Sequence, residues 1–90
     1  MGKTNTQIVM THTLKILPQF YRAVLEERKT FEVRKNDRPF TYGDFVILQE
    51  YDPLCPGGYT GRVWHGVITY VLDDVSYCKK GYVIFGIRAL

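Results

Sequence analysis

Three charged residues at a predicted junction between a helix and a strand have types and spacing suited to binding an anion. Lys29 ends a helical pattern, and Glu32 and Arg34 follow it on a predicted strand. Residues two apart on a strand project from the same face, so the carboxylate and the guanidinium would lie side by side. Such a trio holds one carboxylate and leaves a cation to bind a phosphate or a carbonyl. The alternative is a surface ion pair worth about 0–1 kcal/mol.

Positive charge is concentrated around this trio. The chain has 90 residues and a formal net charge of +3. Segment 28–38 contains five basic residues and two acidic ones, so it holds all of that excess. The segment predicts either an anion-facing edge or a charged, solvated hairpin, and the two interpretations are equally compatible with it.

Three further residues are candidates for the same site. Lys15, on the first predicted strand, would approach the trio if that strand pairs with the second. Loop 52–61 (DPLCPGGYTG) contains glycines, which permit close approach of the backbone to a ligand. Within it Tyr59 could stack on a base, and Arg62 just after it could bind a phosphate or stack. A solvated lysine and a flexible connector are the alternatives, although ten residues is long for a connection in a small domain.

Several other kinds of site are excluded by composition. The cysteines (Cys55, Cys78) and the histidines (His12, His65) are too scattered to predict a zinc site. The sequence contains no serine or cysteine nucleophile beside a base motif and no phosphate-binding glycine loop before a helix. We therefore predict no metal and no cofactor. His12 fits a core histidine with a bonded ring nitrogen as well as it fits a ligand.

Hydrophobic periodicity predicts the elements that must position these residues. A stripe of helical spacing that begins at Pro18 predicts one helix over residues 18–28. Alternating patterns predict strands over residues 11–17, 30–35, 45–51, 62–72 and 82–90. In the second of these strands the alternation predicts that Phe31 and Val33 point to the core. In the fourth it predicts that Ile68 and Tyr70 share a face.

The order β-α-β-β-β-β predicts a mainly β domain with some α structure (α+β). Five or six strands would curl into a small barrel around one principal helix; an open sheet with the helix on one face is the alternative. We expect residues 1–10 to be a flexible lead-in and residues 11–90 to form one domain. The sequence has no signal core and no apolar run near the ~20 residues of a membrane span, which predicts a cytoplasmic protein with reduced cysteines and no membrane partner.

A resemblance to a known family rests on residues 27–34 (ERKTFEVR), which are similar to the GxKxxExR signature of ASCH domains. Lys29, Glu32 and Arg34 match the signature, and Glu27 stands where the family usually has glycine. The segments HTLKIL, KTFEVRKNDRPFTYGDFVILQEYDP, GYTGR, ITYVLDD and GYVIFGI extend the resemblance to a compact ASCH-like family of phages and bacteria, of unknown function. The resemblance implies a PUA-like barrel with a cleft beside the helix, lined by the motif, and an RNA-binding role.

We favour a module that binds RNA or a nucleotide in a basic cleft beside the helix. Its binding residues would be Lys15, Lys29, Glu32, Arg34, Tyr59 and Arg62. In this interpretation the basic residues hold phosphate, Glu32 reads a base amino group and Tyr59 stacks on a base. Such a module needs an open, positively charged groove.

An amidohydrolase acting on an acylated nucleoside is the alternative, because some ASCH relatives act on acetylated cytidine with a lysine, a threonine and a glutamate. Lys29 matches that lysine, Glu32 stands at the threonine position, and the glutamate has no assigned counterpart. Lys29 would then activate a water or a nucleophile, and Glu32 would act as acid or base, in a closed pocket of nucleoside size. A phage-encoded protein that binds a host protein is a third interpretation. The sequence makes no prediction of the oligomeric state.

Overall fold

The computed structural model of the chain describes residues 8–90. Within them, one helix and five strands follow the predicted order β-α-β-β-β-β. Their bounds are β1 Thr11–Ile16, α1 Pro18–Leu25, β2 Phe31–Lys35, β3 Phe45–Tyr51, β4 Tyr59–Leu72 and β5 Tyr82–Ala89. Of the lead-in predicted for residues 1–10, the first seven residues lie outside the described part of the chain.

The sheet is curled, and its two margins face each other. The strands lie in the order β1-β3-β4-β5-β2, with β1 parallel to β3 and the other pairs antiparallel. Strands β1 and β2 are therefore the two margins. Nη2 of Arg34 on β2 donates a hydrogen bond of 2.8 Å to the carbonyl of Lys15 on β1. A side chain thus joins the margins where residues 8–90 contain no backbone ladder between them, and the sheet forms a curled half-barrel.

The apolar core lies inside this curl. Its buried members come from β1, β3, β4 and β5, from α1 and from the segment after β2, and none comes from β2. They are Leu14, Ile16, Tyr21, Val24, Phe40, Val46, Leu48, Ile68, Val83, Phe85 and Ile87. Burying a side chain of this size stabilises a fold by roughly 1.5–3 kcal/mol. The core therefore accounts for much of the driving force that curls the sheet.

Helix α1 has eight residues, which is too short to be stable without tertiary contacts. Tyr21 and Val24 are buried and anchor the helix on the core. The hydroxyl of Tyr21 also donates a hydrogen bond of 3.1 Å to the carbonyl of Val63 on β4. Among the residues that the structure describes, no helix has the length and apolarity needed to cross a membrane.

The helix ends three residues earlier than predicted. Glu27 takes a left-handed backbone conformation with φ of 61°. The N–H groups of Arg28 and Lys29 then both donate to the carbonyl of Ala23, at 2.9 and 3.0 Å. This tight turn ends α1 at Leu25 and aims the chain directly into β2.

Strand β2 turns toward the core the face opposite to the one that was predicted. Phe31 and Val33 remain 45% and 51% exposed, whereas Glu32 is only 3% exposed. The prediction that Phe31 and Val33 point to the core is therefore wrong. The alternation correctly groups the residues into two faces, but the charged face turns inward because nearby cations neutralise its carboxylate, which would otherwise be costly to bury.

Two irregularities in β4 change the faces of its residues. The pairing register with β3 shifts between Gln49 and Tyr51, and the register with β5 shifts between Ile68 and Tyr70. Beyond the second shift Val71 packs on the core and Tyr70 is exposed. The prediction that Ile68 and Tyr70 share a face is wrong, because a bulge reverses the alternation at that point.

A buried polar pair connects the beginnings of β1 and β3. Nε2 of His12 and Oδ2 of Asp44 are 2.8 Å apart, and both side chains are buried. The carboxylate of Asp44 also accepts hydrogen bonds from the backbone N–H groups of Met10 and Thr41, at 3.2 and 3.1 Å. Of the two interpretations of His12, the structure supports the core histidine with a bonded ring nitrogen.

Candidate functional site

A cleft of about 620 Å³ lies beside α1, between the end of β1 and the first half of β2. Five charged residues line it: Lys15, Arg28, Lys29, Glu32 and Arg34. Four are basic and one is acidic, so the cleft has a formal excess of three positive charges. The predicted motif therefore converges on one cleft, and the cleft is basic.

Glu32 lies at the centre of the charged group. Its Oε1 accepts hydrogen bonds from Nε and Nη2 of Arg34, at 3.0 and 2.8 Å, and its Oε2 accepts one from Nζ of Lys29. Hydrogen bonds between charged groups of this kind are about twice as strong as neutral ones. Because both oxygens of Glu32 are occupied, the carboxylate holds the two cations in position.

Lys29 is fixed by more than its ion pair. Nζ of Lys29 also donates a hydrogen bond of 2.6 Å to the carbonyl of Phe31. The same nitrogen lies 5.0 Å from the ring centroid of Phe31 and 5.9 Å from that of Phe20. An ammonium group within about 6 Å of an aromatic ring is attracted to its face. The cation is thus held between two rings, both of which are partly exposed.

The cleft also has an apolar surface. Four of its lining residues are hydrophobic and remain exposed: Leu17, Phe20, Phe31 and Val33. Their exposure makes the site a groove and not a closed pocket. Fixed cations next to exposed aromatic surface suit a ligand that has both an anionic group and a flat ring.

Lys15 connects the cleft to a pair of tyrosines. Its carbonyl accepts the hydrogen bond from Arg34, and its Nζ lies 4.2 Å from the ring centroid of Tyr51. The ring of Tyr51 in turn meets that of Tyr59 at an angle of 77°, with 5.1 Å between centroids. Tyr59 therefore lies beyond the cleft and is linked to it through Lys15 and Tyr51.

Arg62, like Tyr59, is a predicted site residue that does not line the cleft. Its Nε and Nη2 donate to Oε1 of the buried Glu50, both at 2.8 Å, and Thr60 donates to the same oxygen at 2.7 Å. Thr60 and Arg62 lie within the first irregularity of β4, and Glu50 lies opposite them on β3. Arg62 and Glu50 line a separate depression of about 330 Å³. The structure thus supports a role for Arg62 in holding the bulge, and Arg28 lines the cleft instead.

The contacts between Glu50 and its neighbours shift the pKa values of Glu50 and Arg62. The hydrogen bond from Thr60, and after it the contacts with Arg62, lower the pKa of Glu50 although burial opposes this. The hydrogen bond and charge of Glu50 raise the pKa of Arg62. The pair is therefore ionised at neutral pH.

The apolar part of the cleft was not predicted from the sequence. The strand period assigned Phe31 to the core, and no pattern singled out Phe20 as a site residue. A signal that could have found them is the charge pattern of β2, where Glu32 and Arg34 neutralise each other on one face with Lys29 just before. A strand face whose charges neutralise one another can turn toward the interior of the protein. The apolar residues that alternate with these charged residues then lie on the exposed face.

Comparison with known proteins gives two matches. A family described as "Domain of unknown function (DUF3850)" matches residues 11–87 of the chain. An uncharacterized 12.9 kDa protein in the GpA 3′ region of Escherichia phage P2 is 39% identical over 73 residues. That match covers 81% of this chain, and the chain spans 63% of the length of the phage protein. The predicted resemblance to a phage-associated family of unknown function is confirmed, and residues 11–87, which match the family, include the whole cleft.

Proposed function

The chain belongs to the DUF3850 family of domains of unknown function, and from this premise we propose that it binds RNA or a nucleotide in the basic cleft beside α1. One observation carries the proposal: Glu32 holds Lys29 and Arg34 as a fixed pair of cations next to the exposed rings of Phe20 and Phe31. Nucleotides combine an anionic phosphate with a flat base, and proteins bind them through basic grooves and stacking side chains.

We further propose that the fold is PUA-like and the domain ASCH-like. Two features support this. Lys29, Glu32 and Arg34, which match the ASCH signature, contact one another in the cleft. Glu27, at the glycine position of the signature, has the left-handed backbone conformation that glycine adopts without steric cost.

In this proposal Lys29 and Arg34 bind the phosphate. An ammonium group has three protons to donate, and within residues 8–90 Nζ of Lys29 has two partners, Phe31 and Glu32. Nη1 of Arg34 makes no hydrogen bond to the described part of the chain, so both cations keep donors for a ligand. Glu32 accepts three hydrogen bonds from these two cations and acts as a positioning residue in this proposal. The reading of a base amino group by Glu32 stays a prediction.

The test is fluorescence anisotropy with labelled single-stranded RNA oligomers and nucleotides at low and high salt. Each phosphate contact in a single strand contributes a slope of about −0.7 in log K against log salt. Two to four contacts therefore weaken binding roughly 7- to 50-fold between about 50 and 200 mM salt. We expect Arg34→Gln and Phe20→Ala each to weaken binding, and Lys80→Ala, which changes an exposed lysine outside the cleft, to leave it unchanged.

Absence of binding to every nucleic acid and nucleotide at high micromolar protein in low salt would contradict the proposal. A chromatographic screen for deacylation of acetylated cytidine, run beside it, tests the enzymatic alternative. Turnover that is lost in Lys29→Met while nucleoside binding remains would establish that alternative. A circular dichroism spectrum of each variant confirms that the sheet is intact.

A further inference from the structure

Resting on the proposed nucleotide-binding role of the cleft, we infer that the ligand is a single-stranded oligonucleotide of two or more nucleotides and not a free mononucleotide. A first nucleotide occupies the cleft, and the base of a neighbouring nucleotide stacks on Tyr59. The inference comes from the continuous contacts between the cleft and this tyrosine.

Lys15 contacts both the cleft and the pair of tyrosines. Arg34 contacts the carbonyl of Lys15 at 2.8 Å, Nζ of Lys15 lies 4.2 Å from the ring centroid of Tyr51, and that ring lies 5.1 Å from the ring of Tyr59. Lys15 therefore puts a positive charge between the cleft and the tyrosine pair. A nucleic acid strand has this same alternation of base and phosphate, and single-strand binding grooves combine cations with aromatic rings in this way.

The sheet geometry places Tyr59 two strands away from the margin strand that Arg34 contacts. Tyr59 is on β4, and β3 lies between β4 and the margin strand β1. Strands are about 4.8 Å apart, so Tyr59 lies roughly 10 Å beyond β1. Arg34 approaches β1 from the opposite side. A phosphate held at Arg34 and a base stacked on Tyr59 therefore belong to different nucleotides.

Tyr59 is held in position before any ligand binds. The ring of Tyr51 packs on Gly58, where a Cβ atom would lie 2.1 Å from Cε2 of that ring, so a larger residue would displace it. With Tyr51 between Gly58 and Lys15, Tyr59 is the more open ring of the pair and is 51% exposed. Thr60, the next residue, is fixed by its hydrogen bond to Glu50. An exposed ring on a fixed backbone binds a base with little loss of conformational freedom.

A length series tests the inference. Binding of AMP, the adenosine dinucleotide and the adenosine tetranucleotide, in RNA and DNA form, would be measured by competition against a labelled oligomer at low salt. We expect affinity to rise at least about fivefold from AMP to the tetranucleotide, since stacking of one base on a ring contributes roughly 5- to 150-fold. Tyr59→Ala should lower the affinity for the tetranucleotide by this stacking factor and leave AMP affinity unchanged, and Tyr59→Phe should keep the tetranucleotide affinity. Lys15→Ala should lower the salt slope for the tetranucleotide by about 0.7.

The outcomes separate this inference from the proposed function. Equal affinities for AMP and the tetranucleotide overturn the inference and leave the proposed function standing. No binding of any of these probes overturns the proposed function itself. A tetranucleotide affinity that is unchanged in Tyr59→Ala overturns the assignment of Tyr59, whereas tetranucleotide binding without detectable AMP binding supports the inference. The series on the unsubstituted chain decides the length question even if Tyr59→Ala does not fold.

Discussion

The guanidinium of Arg34 on one margin of the sheet donates a hydrogen bond of 2.8 Å to the backbone carbonyl of Lys15 on the other margin. The same guanidinium is bonded to Glu32, which lies in the cleft. One side chain therefore closes the curled sheet and also supplies a cation to the proposed binding site. The geometry of the site depends on closure of the sheet, and for that reason stability and binding must be measured together in variants of this cleft.

Removing the carboxylate of Glu32 should destabilise the fold. Glu32→Ala leaves Lys29 and Arg34 mostly buried without their anion, and removing one partner of a buried ion pair costs about 3–5 kcal/mol. Urea unfolding followed by circular dichroism measures this cost. Glu26→Ala removes a comparable ion pair that is exposed, with Arg28, and should cost less than about 1 kcal/mol. Equal losses in the two variants would contradict the central role of Glu32.

Replacing Glu27 by glycine should stabilise the chain. The left-handed conformation at Glu27 costs a residue with a Cβ atom roughly 1–2 kcal/mol, and the greater freedom of glycine in the unfolded chain offsets part of the gain. We expect a net increase of about 0.5–1 kcal/mol in the free energy of unfolding. The matched control is Glu26→Gly, at φ of −85°, which should destabilise the chain. A decrease for Glu27→Gly would show that its side chain has a stabilising contact.

Glu50 should make stability depend on pH in the acid range. Thr60 and Arg62 hold its pKa below the ordinary value of 4.5. A carboxyl group whose pKa is lower in the folded state contributes stability that is complete above its unfolded pKa and is lost as pH falls through the folded pKa.

The measurement compares the unsubstituted chain with Glu50→Gln by urea unfolding between about pH 3 and 7. The difference in unfolding free energy should be constant above about pH 5 and should shrink as pH falls below 4.5. A difference that stays constant down to the lowest pH would mean that Glu50 has the same pKa in both states.

Asp44 should be required for joining the beginnings of β1 and β3. Asp44→Ala removes the partner of His12 and the acceptor for the N–H groups of Met10 and Thr41. Leaving a buried polar group unpaired costs about 1–3 kcal/mol, so the midpoint of thermal unfolding should fall clearly. The control is Asp74→Ala, which removes an exposed hydrogen bond from the backbone N–H of Ser76 to the Asp74 carboxylate and should have a small effect. Hydrogen exchange would then show faster exchange at the start of β1.

Much of the fold follows from local pattern. The bounds of β3 match the prediction, and β1, β2 and β5 differ from it by one residue at one end or the other. Alternation and helical spacing are properties of neighbouring residues, so they can be recognised in the sequence without knowledge of any tertiary contact. The grouping of Lys29, Glu32 and Arg34 was predictable for the same reason, since the helix end and the strand period place them together.

The sequence by itself therefore determined the order of the elements and the membership of the charged trio. Only the tertiary structure decided that Glu32 turns inward, that Arg62 bonds to Glu50 outside the cleft, and that Lys15 lies next to Arg34. Two of these contacts join residues far apart in the chain, 12 positions for Arg62 and Glu50 and 19 positions for Arg34 and Lys15. β1 and β2 are neighbours in sequence order but opposite margins of the sheet. Glu32 has its two cations nearby in sequence, so only the direction in which β2 turns was left to the tertiary structure. The curl of the whole sheet sets which face of β2 is buried and which cations of other strands reach a carboxylate, because burying a charge is tolerated only when its partners are in place in the folded chain.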